Sequence, residues 1–461
     1  MAERWDVVVV GAGLGGLLTA AILARRGRRV LLCEREATVG GRLRSFEVDG
    51  YVLDAGAYLW PNLHLDRALA AAGCGGFHGG VIPLNRVLRV FVAGDGGRAL
   101  PFPWPGHCDA ATARTALRAD PDTVAGLAAL WERLAALSDA EVAALRHVPV
   151  HEALPRFTSD ARVVDAFQRN LMLFGSIDPP SAAMAECIGL RRRPSDGPTP
   201  RPECAGANAR GGARTLPLAL AETCAAAGVT LRLACAVERL RIADGRAVGV
   251  EVRRSATPCA EVIDADAVVC NAPVWTLFEL VSPAHFPPAF VSAARACGVV
   301  GGVIAAAFAF AGLPTLRASG AADDFLGWTR LLTGPDAAFG GGFVWATLHS
   351  PANAPAGRHV LQAMRLSAAA DVADAARVRA VHDAFRSMLD EIYADVAARL
   401  LRTWTWTTRD GSEYLIHSAA RPPVAAPGVA GLYFVGETTD VPAIQMDAAA
   451  LSALRCAELV G

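Results

Sequence analysis

Two features near the amino terminus have the residue types and the spacing that hold a dinucleotide. The stretch Gly11-Ala12-Gly13-Leu14-Gly15-Gly16 satisfies the pattern G-x-G-x-x-G through its first, third and sixth residues. The first glycine permits a tight turn, the second lets the backbone approach a pyrophosphate, and the third lets a helix pack closely on a strand. Farther along, the Glu34 carboxylate can accept hydrogen bonds from ribose hydroxyls, which favours FAD or NAD over NADP.

The neighbouring segments have the patterns of the elements that must position this loop. Residues 6–10 read DVVVV, a continuous β-branched run typical of a parallel strand buried on both faces. Residues 17–27 read LLTAAILARRG and predict a helix that ends at Gly27. Residues 29–34, RVLLCE, predict a second strand with Glu34 at its end. The free N–H groups and the dipole at the amino end of such a helix favour a phosphate.

A second motif follows at Gly40-Gly41-Arg42, with Ser45 shortly after it. Together with Glu34, this segment resembles the superfamily of flavin amine oxidases and phytoene desaturases. The resemblance implies an FAD site in which the Gly-Gly pair passes along the cofactor. It also implies that Arg42 bonds the pyrophosphate with its fork of N–H donors. The flanking residues Arg35 and Leu43 belong to the same implied site.

Later segments carry the same resemblance. Residues 51–60, YVLDAGAYLW, are similar to the desaturase branch, in which an Asp-x-Gly stretch leads the chain past the flavin ring. Asp54, Gly56 and Ala57 are the matching residues, and Asp54 is equally suited to cap a turn. The family's remaining cofactor contacts fall on Val237, Asn271, Gly436, Glu437, Met446, Asp447 and Ala448. A helix that begins near Asp447 is expected to point its amino end at the flavin.

The length of 461 residues suits two or three domains. The resemblance implies an α/β fold: a Rossmann-like FAD-binding domain of the three-layer, glutathione-reductase-like type, with an inserted α+β substrate domain. We predict the FAD-binding domain at residues 1–100, 206–285 and 416–461. The predicted substrate-binding domain comprises residues 101–205 and 286–415.

Candidate lining residues of a substrate cavity come from three places. Trp404 and Trp406 alternate with threonines, which is the period of a strand, so the two indoles share one face. They would either wall a cavity or belong to a domain core. Tyr58 follows the Asp-x-Gly stretch, and Gln445 and Met446 stand where desaturases usually carry glycines. No catalytic acid or base is assigned from the sequence.

The composition limits the partners. Apolar residues make up 53% of the chain, and a net charge of -1 provides no basic field for nucleic acid. Eleven scattered cysteines without a CxxC pair predict reduced thiols, a cytoplasmic protein and no metal site. The most apolar run, residues 298–313, is short and glycine-rich, which predicts a buried strand rather than a membrane span. Peripheral membrane contact and the oligomeric state stay open.

The chain contains no lysine, so all 44 basic residues are arginine. Amine oxidases of this superfamily commonly carry a lysine that holds a water near the flavin, which disfavours an amine substrate here. The resemblance implies an FAD-dependent oxidoreductase that desaturates an apolar isoprenoid, a carotenoid-like compound or a secondary metabolite. Because only one nucleotide motif is present, we expect reoxidation by oxygen or a quinone. A flavin amine or amino-acid oxidase, a polyene isomerase or saturase, and a non-catalytic flavoprotein are the alternatives.

Overall fold

Two seven-stranded sheets organise the chain in the computed structural model. The structure describes residues 4–56, 64–75, 77, 81–83, 88–92, 99–101, 114, 119–173, 178–191, 207–254, 260–297, 301–324, 327–331, 339–411, 421–443 and 445–461.

The strands follow one another along the chain as β1 (Arg4–Val10), β2 (Val30–Cys33), β3 (Ser45–Val48), β4 (Tyr51–Asp54), β5 (Val81–Pro83), β6 (Leu88–Val92), β7 (Ala99–Pro101), β8 (Ala207–Ala209), β9 (Thr230–Arg232), β10 (Cys235–Ala243), β11 (Arg246–Arg254), β12 (Glu261–Cys270), β13 (Gly301–Phe310), β14 (Gly327–Leu331), β15 (Phe339–Trp345), β16 (His359–Ala368), β17 (Leu400–Gly411) and β18 (Leu432–Phe434). The described α-helices are α1 (Leu14–Arg25), α2 (Leu65–Ala72), α3 (Pro121–Ala135), α4 (Asp139–Ala144), α5 (Val150–Ala153), α6 (Ala161–Leu173), α7 (Met184–Arg191), α8 (Thr215–Ala226), α9 (Leu277–Leu280), α10 (Pro288–Ala296), α11 (Ala346–His349), α12 (Ala369–Ala373), α13 (Ala375–Ile392), α14 (Val396–Arg399) and α15 (Gln445–Val460).

The first sheet is built on parallel strands in its centre. Its order is β10-β11-β12-β1-β2-β9, and β18 pairs with β12. β1 runs parallel to β2 and β12, and β12 runs parallel to β18. Val7 and Val9 of β1 contact one hydrophobic core, whereas Val8 and Val10 contact the core on the opposite face. Both faces of β1 are therefore buried, as its run of β-branched residues predicts.

Helices cover one face of this sheet, and the β10–β11 hairpin with α10 contributes to the core on the other. Helix α1 is buried from Leu14 to Leu23 because it is apolar on all sides, and it packs between α8 and α15. The hairpin turns at Asp244-Gly245, where both residues have positive φ, 48° and 69°, as expected for a two-residue turn. The predicted three-layer α/β architecture is confirmed.

The second sheet has the order β17-β13-β16-β15-β14-β6-β7 and contains the strand predicted in the apolar run of residues 298–313. Side chains at even positions of β13, such as Ile304 and Phe308, pack against Phe385 of α13. Ala307 and Ala309, at odd positions, face the β3–β4 hairpin. This face, called the hairpin face below, comprises the side chains of β13, β15, β16 and β17 on the hairpin's side of the sheet.

The predicted domain boundaries remain a prediction, but the strand pairing departs from them at two places. β6 falls within predicted residues 1–100 of the FAD-binding domain, and β7 crosses the boundary at residue 100, yet both strands pair in the second sheet. Helix α10 falls within predicted residues 286–415 of the substrate domain, yet Phe290 packs on the first sheet. The periodicity of the sequence does not indicate in which sheet a strand pairs or on which sheet a helix packs.

A third core lies among helices α3 to α7. Helix α4 begins at the predicted position, where Ser138 and Glu141 form a capping box. None of the helices in the described ranges is long and apolar enough to cross a membrane. The eight cysteines in those ranges are free thiols.

Asp54 ties the β3–β4 hairpin to the turn that precedes α8. Its Oδ1 accepts hydrogen bonds from the Ser45 hydroxyl at 2.6 Å and the Ala213 N–H at 2.8 Å. The residue is 3% exposed, and burial raises the pKa of its carboxyl, partly offset by the Ser45 hydrogen bond. Asp54 thus has the turn-capping role, and its fixed position sets where the chain continues to Gly56.

We predict that Asp54→Asn is more stable than the parent at neutral pH. Because the folded-state pKa is raised, the carboxyl favours folding below its ordinary value of 3.8, and this contribution is lost as the pH rises. Asparagine keeps both hydrogen bonds on its Oδ1 and carries no charge. Urea unfolding at pH 4 and pH 7 should show a difference between variant and parent that grows with pH.

Asp374→Asn serves as the control with the opposite sign. Asp374 caps α13, and hydrogen bonds from the Arg377 and Ala376 N–H groups lower its pKa, so its contribution to stability is lost as the pH falls. A difference between Asp54→Asn and the parent that does not change with pH would contradict the assignment of a buried, ionisable Asp54.

Candidate functional site

The glycine-rich loop closes tightly between β1 and α1. Gly11 has a φ of +93°, and its N–H donates to the carbonyl of Cys33 at 2.8 Å. A Cβ built on Gly16 would lie 2.0 Å from the carbonyl oxygen of Gly11, so a side chain there would push the helix off the strand. The predicted packing role of Gly16 therefore agrees with the geometry.

Asn271 occupies the space between this loop and the returning strand β18. Its Nδ2 donates to the carbonyl of Gly11 at 3.3 Å. Cβ atoms built on Gly13, Gly15 and Gly436 would lie 2.8, 2.7 and 2.9 Å from its amide atoms. The structure thus shows Asn271 in a scaffolding contact. Its predicted contact with the cofactor stays a prediction, as does the approach of Gly13 to a pyrophosphate.

Glu34 is fixed on all sides at the carboxyl end of β2. Its Oε2 accepts from the Ala12 N–H at 2.7 Å, and its Oε1 accepts from the Glu36 N–H at 2.9 Å. Its backbone bonds to Arg232 and Cys235 of the neighbouring strands. Each carboxylate oxygen retains a lone pair, so the group can still accept from a ribose hydroxyl.

The Gly40-Gly41 pair runs beside the glycine-rich loop. The Gly40 N–H donates to the carbonyl of Ala12 at 2.9 Å, and the two glycines have φ values of +117° and +56°. A Cβ on Gly56 would lie only 1.7 Å from the carbonyl oxygen of Arg42. Three predicted segments therefore meet at one edge of the first sheet. Ala57 and Tyr58 lie outside the described residues.

The predicted charged residues differ in their placement. Arg42 forms an ion pair with Glu437 at 2.7 Å, and the Arg42 side chain stays 40% exposed. The ion pair joins the two residues predicted to contact the cofactor, and the contact of Arg42 with a pyrophosphate stays a prediction. Arg35 instead points to solvent beside Glu36, and Leu43 is buried.

Helix α15 begins at Gln445, two residues before the predicted start, and returns to the loop. Gly436 has a φ of +110°, and its N–H donates to the buried Ser452 hydroxyl at 2.9 Å. Sequence reasoning missed Ser452, although a lone hydroxyl in a run of small residues was a signal. Met446 and Ala448 are buried, and Ala448 leaves room for close packing.

The Asp447 side chain has a structural contact that the sequence did not predict. Its Oδ1 accepts from the N–H groups of His64 at 2.7 Å and Leu65 at 3.1 Å, so the carboxylate holds the amino end of α2. The residue is 3% exposed, so these hydrogen bonds hold the carboxylate in the interior of the protein. Only its backbone at the start of α15 remains a candidate for cofactor contact.

Gln445 has a φ of +49°, a backbone conformation that residues other than glycine rarely adopt. Such a conformation costs about 1–2 kcal/mol for a residue with a Cβ. The position is one where the desaturase resemblance implies glycine, so the strain agrees with that motif. Gln445 is half-buried at the amino end of α15.

The remaining predicted positions do not all converge. Val237 is half-buried next to a bulge in β10. Trp404 packs on Tyr51 with ring centroids 5.1 Å apart, and Trp406 meets Phe46 edge-on at 5.3 Å. Both indoles thus contact the β3–β4 hairpin, as side chains in a domain core would. Their predicted role in lining a substrate cavity stays a prediction.

A buried arginine that sequence reasoning missed secures the loop after β18. Arg421 Nη1 donates to the carbonyls of Glu437 at 3.2 Å and Thr439 at 3.4 Å, and Nη2 donates to Glu186 of α7 at 3.4 Å. Its side chain is 7% exposed. Arg146 adds an ion pair with Asp440 at 2.9 Å. The helical core thereby holds the loop that carries Glu437.

A surface cavity of about 730 Å³ lies elsewhere, lined by Asp6, Arg28 and Tyr433 among others. It opens at the amino ends of the parallel strands. Dinucleotides bind at the carboxyl ends of such strands, where Glu34 and the glycine-rich loop lie. We therefore do not assign this cavity to the cofactor.

We predict that Glu34→Gln weakens FAD binding about 10- to 100-fold, because one carboxylate oxygen becomes an NH2 group that faces a backbone N–H and cannot accept from ribose. Fluorescence titration of the apoprotein with FAD measures the change. Glu36→Gln, in the exposed neighbour, should leave the dissociation constant unchanged. Equal affinities of Glu34→Gln and the parent would contradict a ribose contact at Glu34.

We predict that Arg421→Met lowers the free energy of unfolding by about 3–5 kcal/mol, since the buried carboxylate of Glu186 loses a charged partner. The double variant Arg421→Met/Glu186→Leu should regain much of this stability. FAD affinity should stay reduced in both variants, because the carbonyls of Glu437 and Thr439 lose their donor. Thermal unfolding and FAD titration separate the effects, and an FAD affinity that recovers with stability would refute the positioning role.

Comparison with known proteins identifies the family of the chain. The model of the family described as flavin containing amine oxidoreductase matches residues 14–461. A hydroxyneurosporene desaturase from Rubrivivax gelatinosus is 47% identical over 68 residues, 14% of this chain and 13% of that protein. An inactive all-trans-retinol 13,14-reductase from Danio rerio is 42% identical over 70 residues, 15% of this chain and 12% of that protein. The chain therefore aligns with only a small part of the length of these relatives.

Solved structures match over nearly the whole chain. An oxidoreductase from Methanosarcina mazei has a TM-score of 0.69 at 18% identity, covering 99% of this chain and 100% of that one. Cyclohexylamine oxidase from Brevibacterium oxydans IH-35A has a TM-score of 0.66 at 17% identity, covering 99% of both chains. At this identity the likeness shows the fold alone. With the family model matching almost from end to end, the chain belongs to the flavin containing amine oxidoreductase family and is an FAD-dependent oxidoreductase.

Proposed function

We propose that this oxidoreductase removes two hydrogens from an apolar polyene of the isoprenoid or carotenoid type. The observation that carries the proposal is an apolar surface on the hairpin face of the second sheet. Val303, Met364 and Leu366 lie there on β13 and β16, are half-buried, and belong to none of the buried cores of the described residues. Asp54, which leads the chain to Gly56, bonds to the same face through Gln362.

Two further observations support an apolar substrate over an amine. The chain has no lysine, so the water-holding lysine common in the amine oxidases is absent. The relatives with the higher identities are named for retinol and hydroxyneurosporene, and a prolycopene isomerase from an Oncidium hybrid cultivar is 39% identical over 80 residues. Each match covers 14–16% of this chain, so these relatives support the substrate class and carry no more than that.

The residues near the carboxyl ends of β1 and β2 would hold the cofactor. Glu34 would accept from the ribose, the amino end of α1 and Arg42 would bind the pyrophosphate, and the amino end of α15 would stabilise negative charge on the ring. FAD supplies the hydride acceptor when it is bound. The apolar surface would orient the polyene. The hydride would pass to FAD, and the second hydrogen would leave the polyene as a proton, which needs only a weak acceptor such as a water molecule because the polyene delocalises the positive charge.

Anaerobic mixing of the FAD-loaded protein with candidate substrates tests the proposal. We expect a linear isoprenoid polyene to bleach the flavin absorbance band and gain one double bond, as measured by mass loss of two hydrogens. Putrescine and cyclohexylamine are the amine controls and should leave the band unchanged.

The other outcomes are distinct. Bleaching by an amine and not by a polyene would overturn the proposal in favour of an amine oxidase. A polyene that changes its double-bond geometry without a change in mass would identify an isomerase. Addition of two hydrogens by the prereduced protein, without the forward reaction, would identify a saturase.

A further inference from the structure

Two buried hydrogen-bond donors on the hairpin face of the second sheet have no acceptor among the described residues. Gln362 on β16 is 1% exposed, and its Nε2 has no hydrogen-bond partner in the structure. The indole Nε1 of Trp406 on β17 is also buried without a hydrogen-bond partner. Leaving buried donors unpaired is unfavourable, and tryptophan N–H groups usually find a partner when buried. Such a pair of donors calls for an acceptor that the described part of the chain does not supply.

The orientation of the Gln362 amide follows from its backbone contact. The Asp54 N–H donates at 3.3 Å to the side-chain oxygen of Gln362. Only the amide oxygen can accept a hydrogen bond, so this contact assigns the oxygen and leaves the NH2 group on the other side. The donor is therefore held in place by the segment that leads to Gly56.

The two donors lie on the same face of the sheet, on the two strands that flank β13. Ala307 of β13 pairs with Gln362 on one side and Trp404 on the other, whereas Ala305 pairs with Met364 and Trp406, so the two donors lie diagonally across β13. The side chains of Ala305 and Ala307 are single methyl groups, so β13 contributes little bulk between the two donors. Met364, the next residue of β16 on this face, pairs with Ala305 and is half-buried. The polar pair thus borders the apolar surface described above.

We propose that Gln362 and Trp406 form a polar subsite that binds a hydroxyl or carbonyl oxygen of an otherwise apolar substrate. The subsite rests on the proposed function, because it fixes which polyene the apolar surface accepts: one that carries an oxygen. The amide N–H and the indole N–H donate to that oxygen. A pure hydrocarbon leaves both donors unpaired and binds more weakly.

Binding of two matched polyenes to the FAD-loaded protein tests this inference. The probes are a linear polyene hydrocarbon and the same polyene with one hydroxyl, and perturbation of the flavin absorbance reports the dissociation constants. We expect the parent to prefer the hydroxylated polyene about tenfold. Gln362→Met should lose this preference, with the hydrocarbon affinity changed by less than about twofold, and Trp406→Phe should reduce the preference in part.

Ser367→Ala is the matched control, because Ser367 also carries a buried oxygen without a hydrogen-bond partner but at an odd position of β16, on the opposite face. It should change neither affinity. Gln362→Glu keeps an acceptor for the Asp54 N–H and removes the amide donors, so it gives the test if Gln362→Met fails to fold.

Three outcomes would overturn the subsite. Equal affinity of the parent for both polyenes contradicts it directly. An equal loss of both affinities in Gln362→Met would show a structural role for the amide. Binding of amines and of neither polyene would end the proposed function, and the subsite would fall with it.

Discussion

The contact between Asn271 and three glycines is the constraint on which the cofactor site depends. The amide of Asn271 fills a space that Gly13, Gly15 and Gly436 leave open, so the first loop, the middle strand β12 and the returning strand β18 meet at one side chain. Any Cβ at these glycines would come within 3 Å of the amide. Because this junction joins the amino-terminal and carboxyl-terminal parts of the chain, it sets the distance between the amino ends of α1 and α15.

Two arginines, Arg42 and Arg421, contact the loop that carries Glu437. Arg42 and Glu437 neutralise each other at 2.7 Å, yet a guanidinium has five N–H donors and the arginine is 40% exposed. The ion pair therefore fixes Arg42 beside Glu437, and its contact with the pyrophosphate stays a prediction. Arg421 acts from beneath the same loop through backbone carbonyls, which links the helical core to the position of Glu437. The cofactor loop and the helical segment are thus parts of one bonded unit.

The features visible in the sequence are those that depend on neighbours along the chain. The glycine spacing, the strand before it and the Asp244-Gly245 turn follow from local backbone conformation, and the structure has each of them. Contacts between residues that lie far apart in the sequence could not be predicted from it. The hydrogen bonds from the start of α2 to the Asp447 carboxylate were not predicted, and neither was the packing of Trp404 and Trp406 on the β3–β4 hairpin. Strand periodicity placed the two indoles on one face correctly, but it carries no information on what packs against that face.

An electron-density map of the FAD-loaded protein tests this arrangement most directly. We expect ribose hydroxyls within hydrogen-bond distance of the Glu34 carboxylate and the pyrophosphate at the amino end of α1 beside Arg42. The flavin ring should lie at the amino end of α15, next to the hairpin face that carries Gln362. Density for the cofactor at the amino ends of the parallel strands, or with its adenine at α15 and its ring at Glu34, would contradict it.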